Sequence, residues 1–260
     1  MIPYFVVPPL HLGPVTIQPF GVLSATGVWL ASWLLVRTAR RSGLDPEPVE
    51  KLAGWALLGG LVGAHLVHVL AYHPEELREN GPLQLLKFWD GLSSTGGVLG
   101  GLIACILYLR HRGLRFAPYA DSFAIALPPG WAIARLGCFA VHDHPGIPTH
   151  FFLAVDFPGG PRYDLGLYDA LVLAAITLVV HVLRNRAELQ GRLLGVVALL
   201  YGTCRFLLDF LRARDLGYVD ARYLGLTPAQ YACIALVVWG VWVVAPALRR
   251  ARPRVAGPPA

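Results

Sequence analysis

Of the 260 residues, 55% are hydrophobic and only 15% charged, with a mean hydropathy of +0.54. A soluble domain carries roughly a quarter charged residues, so this balance excludes one and predicts a chain that lives in lipid. The net charge of +6 requires no nucleic acid, because the basic residues gather between apolar stretches. The four cysteines (Cys105, Cys138, Cys204, Cys233) lie inside those stretches without CxxC spacing, which excludes a disulfide framework or a zinc motif.

Seven windows are long and apolar enough to span a bilayer, which takes about 20 residues each. They cover 17–36, 52–72, 93–109, 119–141, 168–183, 193–211 and 228–248. The opening MIPYFVVPPLHLGPV has no basic region and is broken by prolines, so no signal peptide is expected. The first window begins IQPFGVL, with Phe20 in its first turn. The second carries His65, His68 and Tyr72 at i, i+3 and i+7, a spacing that suits the lining of a polar cavity better than a metal site. Residues 73–92 hold Pro74, Glu75, Glu76 and an amphipathic LQLLKFWDGL, predicted as an interfacial helix anchored by Trp89.

The third window opens with Thr95 and the run GGVLGG, 96–101. Gly96 and Gly97 permit close approach of a ligand or, equally, of a neighbouring helix. The fourth contains Arg135, with Cys138 and His142 on the same face at i+3 and i+7, and the chain leaves it at Pro145-Gly146. Residues 142–167 are rich in Pro and Gly, and FFLAVDFPGG suits a short hairpin. The sixth window places Tyr201, Arg205, Asp209 and Arg212 along one face. The tail RPRVAGPPA is predicted disordered.

A charge at the bilayer centre costs about 2.5–3.5 kcal/mol on insertion scales, so Arg135 and Arg205 call for a reason. A planar guanidinium fork that keeps its proton suits an anionic headgroup. The alternatives are snorkelling for Arg135 and a structural ion-pair ladder for Arg205, Asp209 and Arg212. Apart from these two arginines, fourteen Lys/Arg fall on one side of the spans, at 37, 40, 41, 51, 110, 112, 115, 184, 186, 192, 249, 250, 252 and 254. Six fall on the other, at 78, 87, 162, 212, 214 and 222. The positive-inside rule then predicts one all-α integral membrane domain over 1–260. It has seven transmembrane helices, an outside N-terminus, a cytoplasmic C-terminus and short outward-facing interfacial segments.

Taken in order, these motifs resemble the prolipoprotein diacylglyceryl transferases of bacterial inner membranes. RLGCFAVHDHPG, 135–146, looks like the family signature RxGNFxNxExxG, and YGTCRFLLDFLRARD, 201–215, is similar to YGxxRFxxEFxRxPD. FWDGLSSTGGVLGGL, IQPFGVL and RYDLGLYDAL resemble WxGGxSFHGGLxGG, IxWYGLxY and HPSQLYEAL. The resemblance implies transfer of the diacylglyceryl group of phosphatidylglycerol to a lipobox cysteine thiol of a prolipoprotein, with glycerol phosphate leaving and no cofactor or metal. It matches Arg135 and Arg205 to the family's arginines, Gly146 to its glycine and Asp209 to its glutamate. Asp143 and Asp209 would orient the arginines or accept the thiol proton, with His142 beside them. Cys138, Tyr201, Arg212, Phe20, His65, His68, Thr95, Gly96 and Gly97 would line the substrate cavity.

Several positions depart from the pattern. Thr95 stands where the family has histidine, Phe20 for tyrosine, Cys138 and Val141 for asparagines, YDLG for HPSQ, and His65 and His68 for an Arg/Tyr pair. The histidines at 65, 68, 142 and 144 are the groups available to replace the lost base. Two other readings stay open: a paralogue with the same phospholipid grip but another acceptor, and a non-catalytic lipid-binding or transport protein.

Overall fold

A computed structural model describes residues 1–12, 15–72, 74–87, 91, 93–216 and 222–250. The Trp89 anchor and the predicted tail 251–260 lie outside the described residues, as do the side chains of Tyr72 and Thr95. Among the described residues, eight α-helices follow in order: α1 (Pro19–Arg41), α2 (Pro46–Val67), α3 (Pro74–Asn80), α4 (Ser94–His111), α5 (Ala117–Val141), α6 (Leu165–Leu183), α7 (Leu193–Leu208) and α8 (Pro228–Arg250). Six strands accompany them in the same described residues: β1 (Ile2–Pro3), β2 (Leu10–Leu12), β3 (Val15–Ile17), β4 (Pro145–Pro148), β5 (Val155–Phe157) and β6 (Gly160–Asp164).

Every predicted window is a helix. Among the described residues, six helical segments are long and apolar enough to cross a membrane, and Gly96–His111 forms a shorter apolar helix. Their exposed faces are paved with large apolar side chains such as Trp29, Leu178, Val182, Val238 and Trp242. In water such a surface would aggregate; in lipid it is the solvent-facing side. The strands are an addition to the helical architecture. The hairpin predicted within 151–160 forms as β5 and β6, in register Val155 with Arg162 and Phe157 with Gly160. It is extended on both sides into a sheet of order β1-β5-β6-β4, with β1 parallel to β5 and β4 antiparallel to β6. Strands β2 and β3 pair separately.

The chain folds into two compact units, Met1–Thr38 with Ala120–Ala260, and Ala39–Tyr119. The second is built on the pairing of α2 with α4. Asp45 caps α2 by accepting from the Glu47 amide at 3.0 Å, with Pro46 at the first helical position. Glycines let the two backbones touch: a Cβ on Gly100 would lie 2.1 Å from the Gly59 carbonyl oxygen, and one on Gly63 2.5 Å from that of Gly96. Buried His65 fastens the segment before α4, with Nε2 3.0 Å from the Gln84 carbonyl and Nδ1 3.3 Å from that of Gly91.

In the first unit, the sheet covers one end of the helices, where α5 and α7 finish and α6 begins. A core of Leu173, Ile176, Val180 and Tyr201, joined by Ile125, Trp131 and Ala132, fills the space between α5, α6 and α7. This core fixes the depth at which the polar cluster can sit.

Candidate functional site

Three helices of the first unit converge on Asp169. Its Oδ2 lies 3.3 Å from Arg135 Nε on α5 and 3.3 Å from Arg205 Nη1 on α7. Asp169 is fully buried in the first turns of α6, and both guanidinium groups are nearly so. An uncompensated charge there would be costly, and the shared carboxylate offsets two at once. The pairing is electrostatic rather than directional. Arg135 Nε, Arg205 Nη1 and both Asp169 oxygens lack hydrogen-bond alignment with one another, so they meet as charges at 3.3 Å.

Arg205 is held from its other side by Asp209, whose Oδ1 accepts from Arg205 Nη2 at 3.1 Å and from Arg212 Nε at 3.3 Å. The Thr227 hydroxyl donates to Asp209 Oδ2. Thr227 is itself positioned ahead of α8 by Gln230, which accepts from its amide at 3.0 Å. Asp209 is thus a fully bonded orienting group, and the i, i+4 spacing read in the sequence is realised as an ion pair. Tyr201 packs on Trp131 with ring centroids 4.7 Å apart and interacts with Arg135 and Asp169.

One turn beyond Arg135, its Nη1 donates to Cys138 Sγ at 3.6 Å. The helix then closes with the Asp143 amide donating to the Cys138 carbonyl and the His142 amide to that of Phe139. This is the Schellman arrangement, which puts the residue at His142 in the left-handed region, here at φ 51°. A side chain there costs about 1–2 kcal/mol in the absence of compensation. Compensation is provided by Asp164, whose Oδ2 accepts from His142 Nδ1 at 2.6 Å. The imidazole also stacks on Tyr4 at 4.8 Å and meets the edges of Phe139 and Phe157. Asp164 simultaneously caps α6 by accepting from the Leu167 amide at 3.2 Å, and burial pushes its carboxyl above the usual carboxylate range.

The structure therefore brings together Arg135, Arg205, Asp209, Arg212, Tyr201 and Cys138. It gives the other predicted residues different partners. His142 is occupied by Asp164 inside an aromatic box, and Asp143 pairs with His144, Oδ1 to Nδ1 at 2.5 Å, instead of with either arginine. Gly146 lies in β4 and forms a bridge with Arg212. A Cβ on it would come within 2.7 Å of the Leu211 oxygen and 2.8 Å of Tyr163 Cβ. Phe20, half-exposed at the start of α1, has its backbone packed on Gly137. His65, His68, Gly96 and Gly97 belong to the second unit, where Gly96 serves helix packing and the His68 ring lies against Gly91.

Sequence reasoning missed Asp169, Asp164 and Thr227. Asp169 carried the same signal as the arginines, a lone acid within an apolar span.

These features define a polytopic helical membrane protein with a buried arginine pair at one end of its helices. A family model described as prolipoprotein diacylglyceryl transferase matches residues 9–245, and the chain belongs to this family. It is similar to the phosphatidylglycerol–prolipoprotein diacylglyceryl transferase of Chromohalobacter salexigens, 33% identical over 242 residues covering 88% of this chain and 90% of the relative. The enzymes of the same name from Solidesulfovibrio magneticus and Methylococcus capsulatus are 34% and 30% identical. They cover 91% and 96% of this chain, and 92% and 99% of their own length.

Proposed function

We propose that this protein is a membrane-embedded transferase that moves the diacylglyceryl group of phosphatidylglycerol onto the lipobox cysteine thiol of prolipoproteins, releasing glycerol phosphate. Family membership supports the reaction. The observation that carries the residue assignment is the Arg135–Asp169–Arg205 bridge, which holds two buried guanidinium groups against one carboxylate oxygen, a paired arrangement that suits a phosphate. In a low-dielectric site, guanidinium forks hold phosphate oxygens bidentately and stabilise the charge that grows on them as the carbon–oxygen bond breaks. Asp169 and Asp209 keep both forks oriented before substrate arrives, so little reorganisation accompanies the reaction. Tyr201, Cys138 and Arg212 line the same cluster.

Arg135 lies six residues before the end of α5, Arg205 three before the end of α7, and Asp169 four after the start of α6. At 1.5 Å per residue, all three sit within about 9 Å of the sheet-covered end. With the seven-helix, N-out orientation favoured by the basic loops, that end faces the outer leaflet of the bacterial inner membrane, within one polytopic domain over 1–260.

The test is purified protein in detergent with labelled phosphatidylglycerol and a lipobox peptide. Label should appear on the peptide as a thioether. Glycerol phosphate release without peptide labelling would assign another acceptor, and lipid binding without turnover would assign a non-catalytic role.

A further inference from the structure

The end of α5 and the start of α6 meet as an antiparallel pair with three successive rungs. In the deepest, Arg135 Nε lies 3.3 Å from Asp169 Oδ2. In the middle, Gly166 lets α6 press on α5: a Cβ there would come within 2.7 Å of the Phe139 nitrogen and 3.0 Å of Cys138 Cβ. In the outermost, His142 Nδ1 meets Asp164 Oδ2 at 2.6 Å, and the Leu165 amide donates to the His144 carbonyl at 3.0 Å. Both side chains of that outer pair are buried. Neither is part of a family motif: His142 occupies an open position of RxGNFxNxExxG, and Asp164 falls in YDLG, which stands for HPSQ.

We propose that His142 and Asp164 are a positioning pair for the transfer reaction, fixing the register of α5 on α6 so that Arg135 and Asp169 stay aligned with Arg205. The inference rests on the phosphate-holding reading given above. A buried polar pair adds little net stability over an apolar contact of the same shape, because desolvation offsets its attraction. What it supplies is direction. Apolar surfaces tolerate sliding, whereas a hydrogen bond between buried groups is lost when either partner shifts. Each partner here is also held from elsewhere. Asp164 Oδ1 accepts from the Leu167 amide at 3.2 Å, and the imidazole stacks on Tyr4 between the edges of Phe139 and Phe157. Neither can follow a partner that slips.

The backbone supplies a second argument. His142 has φ 51°, a conformation that glycine adopts freely and other residues adopt at a cost. Glycine would close α5 in the same way without strain. The imidazole is therefore kept against local preference, and its bond to Asp164 accounts for it. Arg135 lies seven residues before His142, and Asp169 five after Asp164. Along α5 that is about 10 Å at 1.5 Å per residue, so the helix carries a shift at the outer rung to the Arg135 fork. A misplacement of about 1 Å costs about 10²-fold in rate even when the altered residue is remote from the chemistry.

The experiment compares full-length variants in detergent, with labelled phosphatidylglycerol and a lipobox peptide. His142→Gly removes the imidazole and relieves the backbone, so a purely conformational role predicts activity at or above the parent's. Positioning predicts a fall of about 10²-fold in kcat, with kcat/KM falling equally because the forks act in the transition state. His142→Asn should recover most of that loss, since asparagine tolerates the left-handed backbone and its Nδ2 stands where the imidazole Nδ1 stood. The double variant His142→Gly with Asp164→Asn removes the orphaned acid and should stay as slow as His142→Gly. Parent-like rates in the double variant, or a loss confined to KM, overturn the inference and leave the transferase reading standing. Hydrogen exchange reads the register without turnover: amides in 139–142 and 165–169 should exchange faster in the double variant, and equal rates overturn the inference. Faster exchange with no transfer by any form, the parent included, supports the pair and sinks the transferase reading instead. In the parent, the proton shared by His142 and Asp164 should resonate far downfield, and its absence overturns the pair even if a variant fails to fold.

Discussion

The carboxylate of Asp169 stands 3.3 Å from the guanidinium of Arg205, and the same oxygen is equally close to Arg135. One buried acid on α6 thus joins the arginines of α5 and α7, two spans that are separated in sequence by strands β4 to β6 and by α6 itself. Replacing it by the near-isosteric amide in Asp169→Asn leaves two buried guanidinium groups without that counter-charge. Removing one partner of a buried ion pair costs about 3–5 kcal/mol. We expect a clear fall in the unfolding midpoint in detergent, together with lost transfer activity. A variant as stable as the parent would mean that the arginines find their compensation elsewhere.

Charge alone should not replace the guanidinium fork. Arg135→Lys and Arg205→Lys keep a cation but present an ammonium point charge where a planar pair of donors stood. Losing one preorganised donor to a developing oxyanion costs about 10²–10³ in kcat, and each variant should show a loss of that order. Full activity in both would rule out bidentate phosphate holding.

Much of this architecture is legible in the sequence. The spans are apolar runs, and the window 119–141 differs from α5 only by two residues at its start. The Tyr201–Arg205–Asp209 ladder follows from helical periodicity, because α7 is regular to Leu208 and its cap residue Asp209 keeps a right-handed helical backbone at φ −69°. His142 departs from the helical face of Arg135 for a physical reason. It lies just past the end of α5, where helical spacing no longer applies and the left-handed turn redirects the side chain toward Asp164. The pairing of Ile2 with Val155 was equally invisible, since strands of two and three residues carry no pattern and their contact spans most of the first unit. GGVLGG suits a ligand or a neighbouring helix equally in sequence, and at Gly96 and Gly100 the close approach of α2 accounts for the missing side chains.

Gly146 is where the segments containing the two arginines meet, through its bridge with Arg212. In Gly146→Ala the new methyl would press on the Leu211 oxygen at 2.7 Å and Tyr163 Cβ at 2.8 Å, neither of which is a flexible side-chain end. Overpacking of this kind costs about 1–3 kcal/mol. The strain falls on β4 and on the short turn carrying Asp209. Transfer activity should therefore drop while helical circular dichroism stays near the parent's. Unchanged activity would detach the bridge from the arrangement of the arginine cluster.

The sheet carries its own acid-sensitive tie. Arg162 on β6 reaches Asp215 with two donors, Nη1 to Oδ1 at 2.9 Å and Nη2 to Oδ2 at 2.5 Å, while Nη1 also donates to the Gly146 carbonyl at 3.1 Å. The hydrogen bond from Arg162 holds the Asp215 carboxyl below the usual carboxylate range. A depressed acid contributes stability that is present above its unfolded value, about 3.9, and is lost as pH falls through the lower folded value. Asp215 is open to solvent, so the contribution is small and screened by salt. Comparing the parent with Asp215→Asn should give a modest difference in unfolding midpoint at pH 6–7 in low salt. It should shrink below about pH 4 and again in 1 M salt, where the Debye length is only about 3 Å. A difference of equal size under all three conditions would mean that Asp215 acts through packing or hydrogen-bond geometry and not through its charge.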